Sequence, residues 1–360
     1  MAVVARTYRG AIRDLEHHGR IVVADAAGNV LYHYGDPYAI TFARSAAKPM
    51  QAIAVCESGA LEAYGVTEQE LAVMCASHNG EPAQVALVER VLGKARLDSS
   101  YLQCGDAYPI SEESKREMLR RGLPPDALHC DCSGKHAGML LTAKIHGEDL
   151  TQYPAPDSPT QQRINEIICH VCGCGMEELF FAVDGCGVPV HALPMVKLAQ
   201  GYARMSKPEL LGERRGAAAR RVTRAMTAYP YEVAGTGRLC TCLMSAFGDR
   251  LFGKSGAASF YGIGLKDRGI GIAVKLEDGC SEFMPGVVMK VLTDLGVISQ
   301  QEQEKLGACW EPNIYNHHNQ VVGRKEIVAL KELVDHIDPD AFVIVSDVRE
   351  VHGEGFIERK

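Results

Sequence analysis

Strand-prone runs stand at both ends of this 360-residue chain, and helical spacing fills its middle. Residues 21–24 and 30–34 flank Ala27-Gly28-Asn29 and read as a β-hairpin. Residues 251–275 form glycine-rich strands, of which 270–274 is the clearest. Between these ends, Val85, Leu87, Val88, Val91 and Leu92 recur at helical spacing, and 160–171 reads as an amphipathic helix. Residues 194–228 read as helical with a basic face, 286–295 as a helix opened by Pro285, and 180–183 as a short buried strand. No low-complexity linker and no internal repeat interrupts the chain. The expected class is α+β, a largely antiparallel sheet flanked by helices.

Composition narrows the function classes. A hydrophobic share of 46% with 23% charged residues fits a globular protein with ample core. The net charge of -7 disfavours nucleic acid as a partner. No apolar run approaches a membrane span, and residues 1–13 lack a secretory apolar region, so a cytoplasmic location is expected. Thirteen cysteines in such a chain point to reduced thiols, some of them metal ligands, ahead of a disulfide framework.

Ser45-x-x-Lys48 precedes a helical run that includes Met50, Ile53 and Val55. If Ser45 caps that helix, the two side chains lie one turn apart on one side. A hydroxyl becomes a nucleophile when a base takes its proton, and a lysine serves once burial or a nearby cation makes it neutral. Ser77-His78-Asn79 follows an apolar run, and Lys254-Ser255-Gly256 precedes strand-prone residues. Ser-x-x-Lys, Ser-x-Asn and Lys-Ser/Thr-Gly in this order are the elements of penicillin-binding proteins and class A β-lactamases. They divide into nucleophile with base, hydroxyl relay, and a cation that lowers nearby amines.

Six motifs in order resemble the asparaginase II family: Arg44-Ser45-Ala46-Ala47-Lys48-Pro49, the run from Cys75 to Glu81, Cys132-Ser133-Gly134-Lys135-His136, the run from Asp184 to Pro189, Gly235-Thr236-Gly237-Arg238-Leu239-Cys240, and Lys254-Ser255-Gly256-Ala257. The resemblance covers about residues 5–323. It implies a serine β-lactamase-like fold, a homodimer, and hydrolysis of L-asparagine to L-aspartate and ammonia. It implies two serine–lysine tandems, Ser45 with Lys48 and Ser77 with Lys254. It further implies a zinc site from Cys132, Lys135 and Cys186, with Asp184 nearby. Arg44 and His136 flank key residues and are candidates for the substrate carboxylate, and Cys240 matches a family position near the site.

Residues 1–323 are therefore expected to be the catalytic domain, and 324–360 an extension. That extension resembles the end of the C-terminal domain of YitT-type membrane proteins, with a helix over 327–337 and a strand over 341–346. Cys169-x-x-Cys172-x-Cys174 offers a separate thiol cluster in a helical pattern, with no matching second pair. Two other function classes stay open on sequence: a penicillin-recognising serine acyltransferase, and a non-catalytic metal or thiol protein.

Overall fold

The computed structural model describes residues 2–307 and 309–328. Eleven strands are described: β1 (Ala2–Arg9), β2 (Ile12–Asp25), β3 (Val30–Tyr34), β4 (Ile40–Phe42), β5 (Phe180–Val183), β6 (Pro189–Pro194), β7 (Leu251–Gly256), β8 (Phe260–Leu265), β9 (Ile270–Leu276), β10 (Asn313–Tyr315) and β11 (Val321–Ile327). The larger sheet runs β10-β11-β1-β2-β9-β8-β7, with β3 also on β2. The first and last strands of the described residues meet: β1 pairs β11, and β2 pairs β9, both antiparallel. β4-β6-β5 form a second, smaller antiparallel sheet. The expected class, antiparallel sheet with helices, is what the chain forms.

Glycines in the central strands let a helix lie directly on the sheet. A Cβ at Gly271 would sit 1.9 Å from the Ala199 carbonyl, and one at Gly262 2.1 Å from the Tyr202 ring. The Met195–Ser206 helix therefore presses its buried face onto β8 and β9. The Lys48–Glu57, Glu68–Met74, Ser133–Ile145 and Pro159–Cys172 helices pack in a cluster next to it. Thr67 and Glu70 close a capping box on the Glu68–Met74 helix. Glu70 is itself buried and accepts hydrogen bonds from Arg90 Nε at 2.9 Å and Lys94 Nζ at 2.6 Å.

Several local readings are corrected. Residues 180–183 are a strand, but all four are exposed, because no helix lies closely on β5 among the described residues. The 194–228 helix is two helices, Met195–Ser206 and Glu213–Ala228, since Gly212 takes a positive φ of 79° between them. Ser45 does not cap the Lys48–Glu57 helix: Ala47 holds that position without a side-chain bond, and Ser45 lies in a 3-10 turn, Arg44–Ala47.

One cysteine pair is closed, Cys242–Cys309, which departs from the expectation of reduced thiols, while the other eleven are free. β11 runs through position 323, and residues 324–327, assigned from sequence to the extension, complete it. The remaining helix and strand expected in the extension lie outside the described residues.

Candidate active site

One strand, one helix start and the loop after a second helix converge on one hydroxyl. Ser77 follows the Glu68–Met74 helix, where its N–H donates to the Val233 carbonyl. Lys48 opens its own helix, and Lys254 points inward from the middle of β7. Lys48 Nζ and Lys254 Nζ each lie 3.0 Å from Ser77 Oγ. All three are closed to water, with 1%, 0% and 5% of Lys48, Lys254 and Ser77 exposed. The two lysines thus share Ser77. Among the described residues, no hydrogen bond joins Ser45 Oγ to Lys48, and Ser45 is half-buried.

The surroundings of the two amines differ in charge. Lys48 Nζ donates to Ala76 O at 2.6 Å, Ser77 Oγ at 3.0 Å and Asp131 O at 3.5 Å. Its three hydrogens meet three oxygens, and the Asp131 carboxylate lies 3.9 Å away. Burial works against its charge, but Cys132, Asp131 and Cys186 outweigh burial and raise its pKa above the usual lysine value. Lys254 is pulled down to about 8, first by burial and then by the nearby Lys48 and Arg238, against the opposing effect of Cys240. Lys254 also donates to Ser255 O at 2.9 Å. Near neutrality, one amine is held charged and the other sits close to losing its proton.

The rest of the Ser-His-Asn stretch is scaffolding. Gly80 N–H donates to His78 Nδ1 at 3.0 Å, which leaves Nε2–H to donate to Ser133 Oγ at 2.8 Å. Burial pushes His78 down to about 3, so it stays neutral and clamps the Ser133–Ile145 helix to the Ser77 loop. Asn79 donates to Glu81 at 2.9 Å and accepts from Arg238 at 3.0 Å. Glu81 also accepts from Tyr231 and Thr236, which fixes the loop.

Arg44 has a positive φ of 50°, a conformation that costs a non-glycine residue. Gly256 makes room for it, since a Cβ there would lie 2.4 Å from the Ala43 carbonyl. Tyr202 OH donates to Ala46 O at 2.7 Å and pins the same turn. The Arg44 side chain reaches Asp184 at 2.6 Å, and its buried Nε has no hydrogen-bond partner among the described residues. Asp184 opens the tight turn that presents Cys186.

Lys135 Nζ donates to Cys186 Sγ at 3.1 Å. Hydrogen bonds with Cys130 and Cys186, helped by Lys48 and Lys135 and opposed by burial, hold the Cys132 thiol well below its usual range. Two thiols and an amine, buried together with one thiol already favoured as thiolate, make a donor set suited to a thiophilic divalent ion. The donor atoms of Cys130, Asp131 and Cys132 also lie within 4.8 Å of one another.

His136 is fully buried, with Nδ1 2.7 Å from Tyr153 OH. Cys240 accepts from Ser255 N–H at 3.2 Å, behind Lys254. Asp131, whose carboxylate lies 3.9 Å from Lys48 Nζ, is a site residue outside the six sequence motifs; its place between two cysteines just before the Ser133–Ile145 helix is its one signal there.

The family described as L-asparaginase II matches residues 5–327. A second family, described as an uncharacterized protein conserved in bacteria, DUF2179, matches residues 320–353. In that region the chain is similar to the UPF0750 membrane protein YpjC of Bacillus subtilis, 58% identical over 36 residues. That stretch is 10% of this chain, and the chain spans 12% of that relative's length. Among solved structures, a β-lactamase from Mycobacterium bovis overlaps 77% of this chain and 94% of its own, at 14% identity and a TM-score of 0.42. The structure of Mglu in 4.3 M NaCl overlaps 78% of this chain and 62% of its own, at 15% identity and a TM-score of 0.43. Among the described residues, no helix is long and apolar enough to cross a membrane.

Proposed function

The chain belongs to the L-asparaginase II family over residues 5–327, and from that premise we propose that it hydrolyses the side-chain amide of L-asparagine through an acylated serine. The observation that carries this reading is the shared contact of Lys48 and Lys254 with Ser77 Oγ, 3.0 Å each. Charged Lys48 donates to the Ser77 oxygen, so the serine's own hydrogen is free for the lone pair of neutral Lys254. Lys254 takes that proton as Ser77 Oγ attacks the amide carbon. The tetrahedral intermediate collapses by breaking the C–N bond, and the nitrogen leaves as ammonia with the proton from Lys254. Water, deprotonated by the same lysine, then cleaves the ester and frees aspartate and Ser77.

Arg44 and Asp184 supply opposite charges beside this centre. The unpartnered Arg44 Nε is a donor for the substrate α-carboxylate, and Asp184 faces its ammonium group. Zinc belongs to the same reading, held by Cys132, Lys135 and Cys186. When bound, it adds positive charge that orients and polarises substrate oxygen. A homodimer is also part of it, supported by the exposed apolar residues Phe42, Phe180, Phe181 and Val183 of the small sheet.

A second reading has Ser45 attack with Ser77 as proton relay. It is favoured by the half-buried position of Ser45 beside the strained Arg44. Ammonia release from L-asparagine, with L-glutamine as control, tests the function itself. Turnover of asparagine that vanishes in S77A is expected; full turnover in S77A would remove Ser77 from the mechanism, and full turnover in both S77A and S45A would remove the serine mechanism.

A further inference from the structure

The Cys169, Cys172 and Cys174 cluster lies outside the Ser77 site and has no part in the reaction above. The Pro159–Cys172 helix ends at Gly173 in the left-handed conformation, φ 64°. Cys174 N–H donates to Cys169 O at 3.0 Å and Gly173 N–H to His170 O at 3.4 Å. This pair of bonds is a Schellman stop, which folds the residue after the glycine back over the one five positions earlier. Such stops commonly close with an apolar contact between those two positions. Here both positions are cysteine, so the stop returns Cys174 to the end of the helix that carries Cys169.

The chain then continues through Gly175 and brings a third sulfur to the same place. Met176 Sδ lies 3.4 Å from Cys169 Sγ. Cys172 is not part of the group: its thiol turns inward to Met50 Sδ at 3.8 Å, joining this helix to the one that carries Lys48. Cys169 is buried, Cys174 half-buried, and Met176 52% exposed, so the cluster opens to solvent on one side. Two polar groups beside it are already engaged: Glu178 accepts from Gly175 N–H at 3.0 Å, and Lys197 donates to Gly173 O at 2.6 Å.

We propose that Cys169, Cys174 and Met176 form a binding site for a soft monovalent metal ion, of which copper(I) is the biological representative. Two thiolates and a thioether are the ligand types that select copper(I) over harder ions. Three sulfurs from an eight-residue stretch match its low coordination number, and the helix stop fixes the backbone there before any metal arrives. Binding exchanges two S–H bonds for two metal–sulfur bonds and releases two protons to solvent, with no change of oxidation state. The half-exposed Met176 is the last ligand to close and the first to open.

The test is an anaerobic copper(I) titration of the reduced full-length protein against a chromophoric copper(I) chelator. C132S/C186S protein serves as background, which removes the two thiols of the proposed zinc site from the count. That protein is expected to hold one equivalent of copper, and to lose it when C169S and C174S are added. C174S alone, at a half-buried position, covers the case in which C169S disturbs the helix end. M176L is expected to surrender copper at lower chelator concentration. Copper uptake unchanged by the C169S/C174S pair, or by C174S in a folded protein, would overturn the assignment.

Discussion

Replacing Lys48 by methionine separates the two lysines. Both nitrogens lie 3.0 Å from one oxygen, so they are no more than about 6 Å apart. Two unit charges at that distance, in an effective dielectric of about 20, repel by about 2.8 kcal/mol, or about two pK units. Cys132 and Asp131 compensate part of the Lys48 charge, so a net effect of about one unit on Lys254 is expected. The sign follows from Coulomb's law: taking away a neighbouring cation favours protonated Lys254 and raises its pKa from about 8 towards about 9. A base must be neutral, so activity rises with pH through that value. At pH 7 the neutral fraction of Lys254 would fall roughly tenfold, from about 9% to about 1%. The assay is the pH profile of kcat/KM for ammonia release, wild type against K48M. The rising limb should move up by about one unit, with much of the loss at pH 7 recovered in alkaline buffer. A limb that stays in place would refute the electrostatic role of Lys48, and a deficit no pH recovers would make Lys48 the base.

Other consequences concern stability and metal. Glu70→Gln leaves Arg90 and Lys94 facing a neutral amide in a buried pocket; a loss of about 1–3 kcal/mol is expected in urea unfolding, and an unchanged midpoint would mean the network contributes nothing. Gly271→Ala drives a Cβ into backbone, 1.9 Å from Ala199 O and 2.5 Å from Ala203 N. The helix must lift from the sheet, lowering stability by about 1–3 kcal/mol or more; a thermal midpoint equal to wild type would show that the sheet yields instead. Purified protein supplied with zinc should carry one equivalent, and C186S should lose it; metal content indifferent to C186S would place any ion elsewhere.

Much of the fold could be read from residue patterns because the signals were local. The hairpin around Gly28, the Thr67–Glu70 capping box and the glycine-rich strands each announce themselves within a few residues. What could not be read depends on distant partners. Residues 180–183 are as apolar as a core strand, yet whether a strand is covered is decided by what packs on its faces, and no helix lies closely on β5 among the described residues. Ser45 and Lys48 sit at helical spacing, but the lysine turns to Ser77, 29 positions on, because Ala76 O and Asp131 O lie there too. Sequence paired Ser77 with Lys254 only through the family resemblance. That both amines reach one oxygen needs the meeting of β7 with two helices. The three cysteines from 169 to 174 stand out in the sequence, but the left-handed Gly173 that returns Cys174 toward Cys169 depends on the backbone at the helix end.

The central claim is that Ser77 Oγ carries the acyl group. Wild-type protein mixed with L-asparagine, quenched in acid within the turnover time and digested, can be searched by mass spectrometry for an aspartyl ester. The account predicts the ester on the peptide that contains Ser77, and its loss in S77A and in K254M. An ester on Ser45 that survives in S77A, or turnover with no esterified serine, would contradict it.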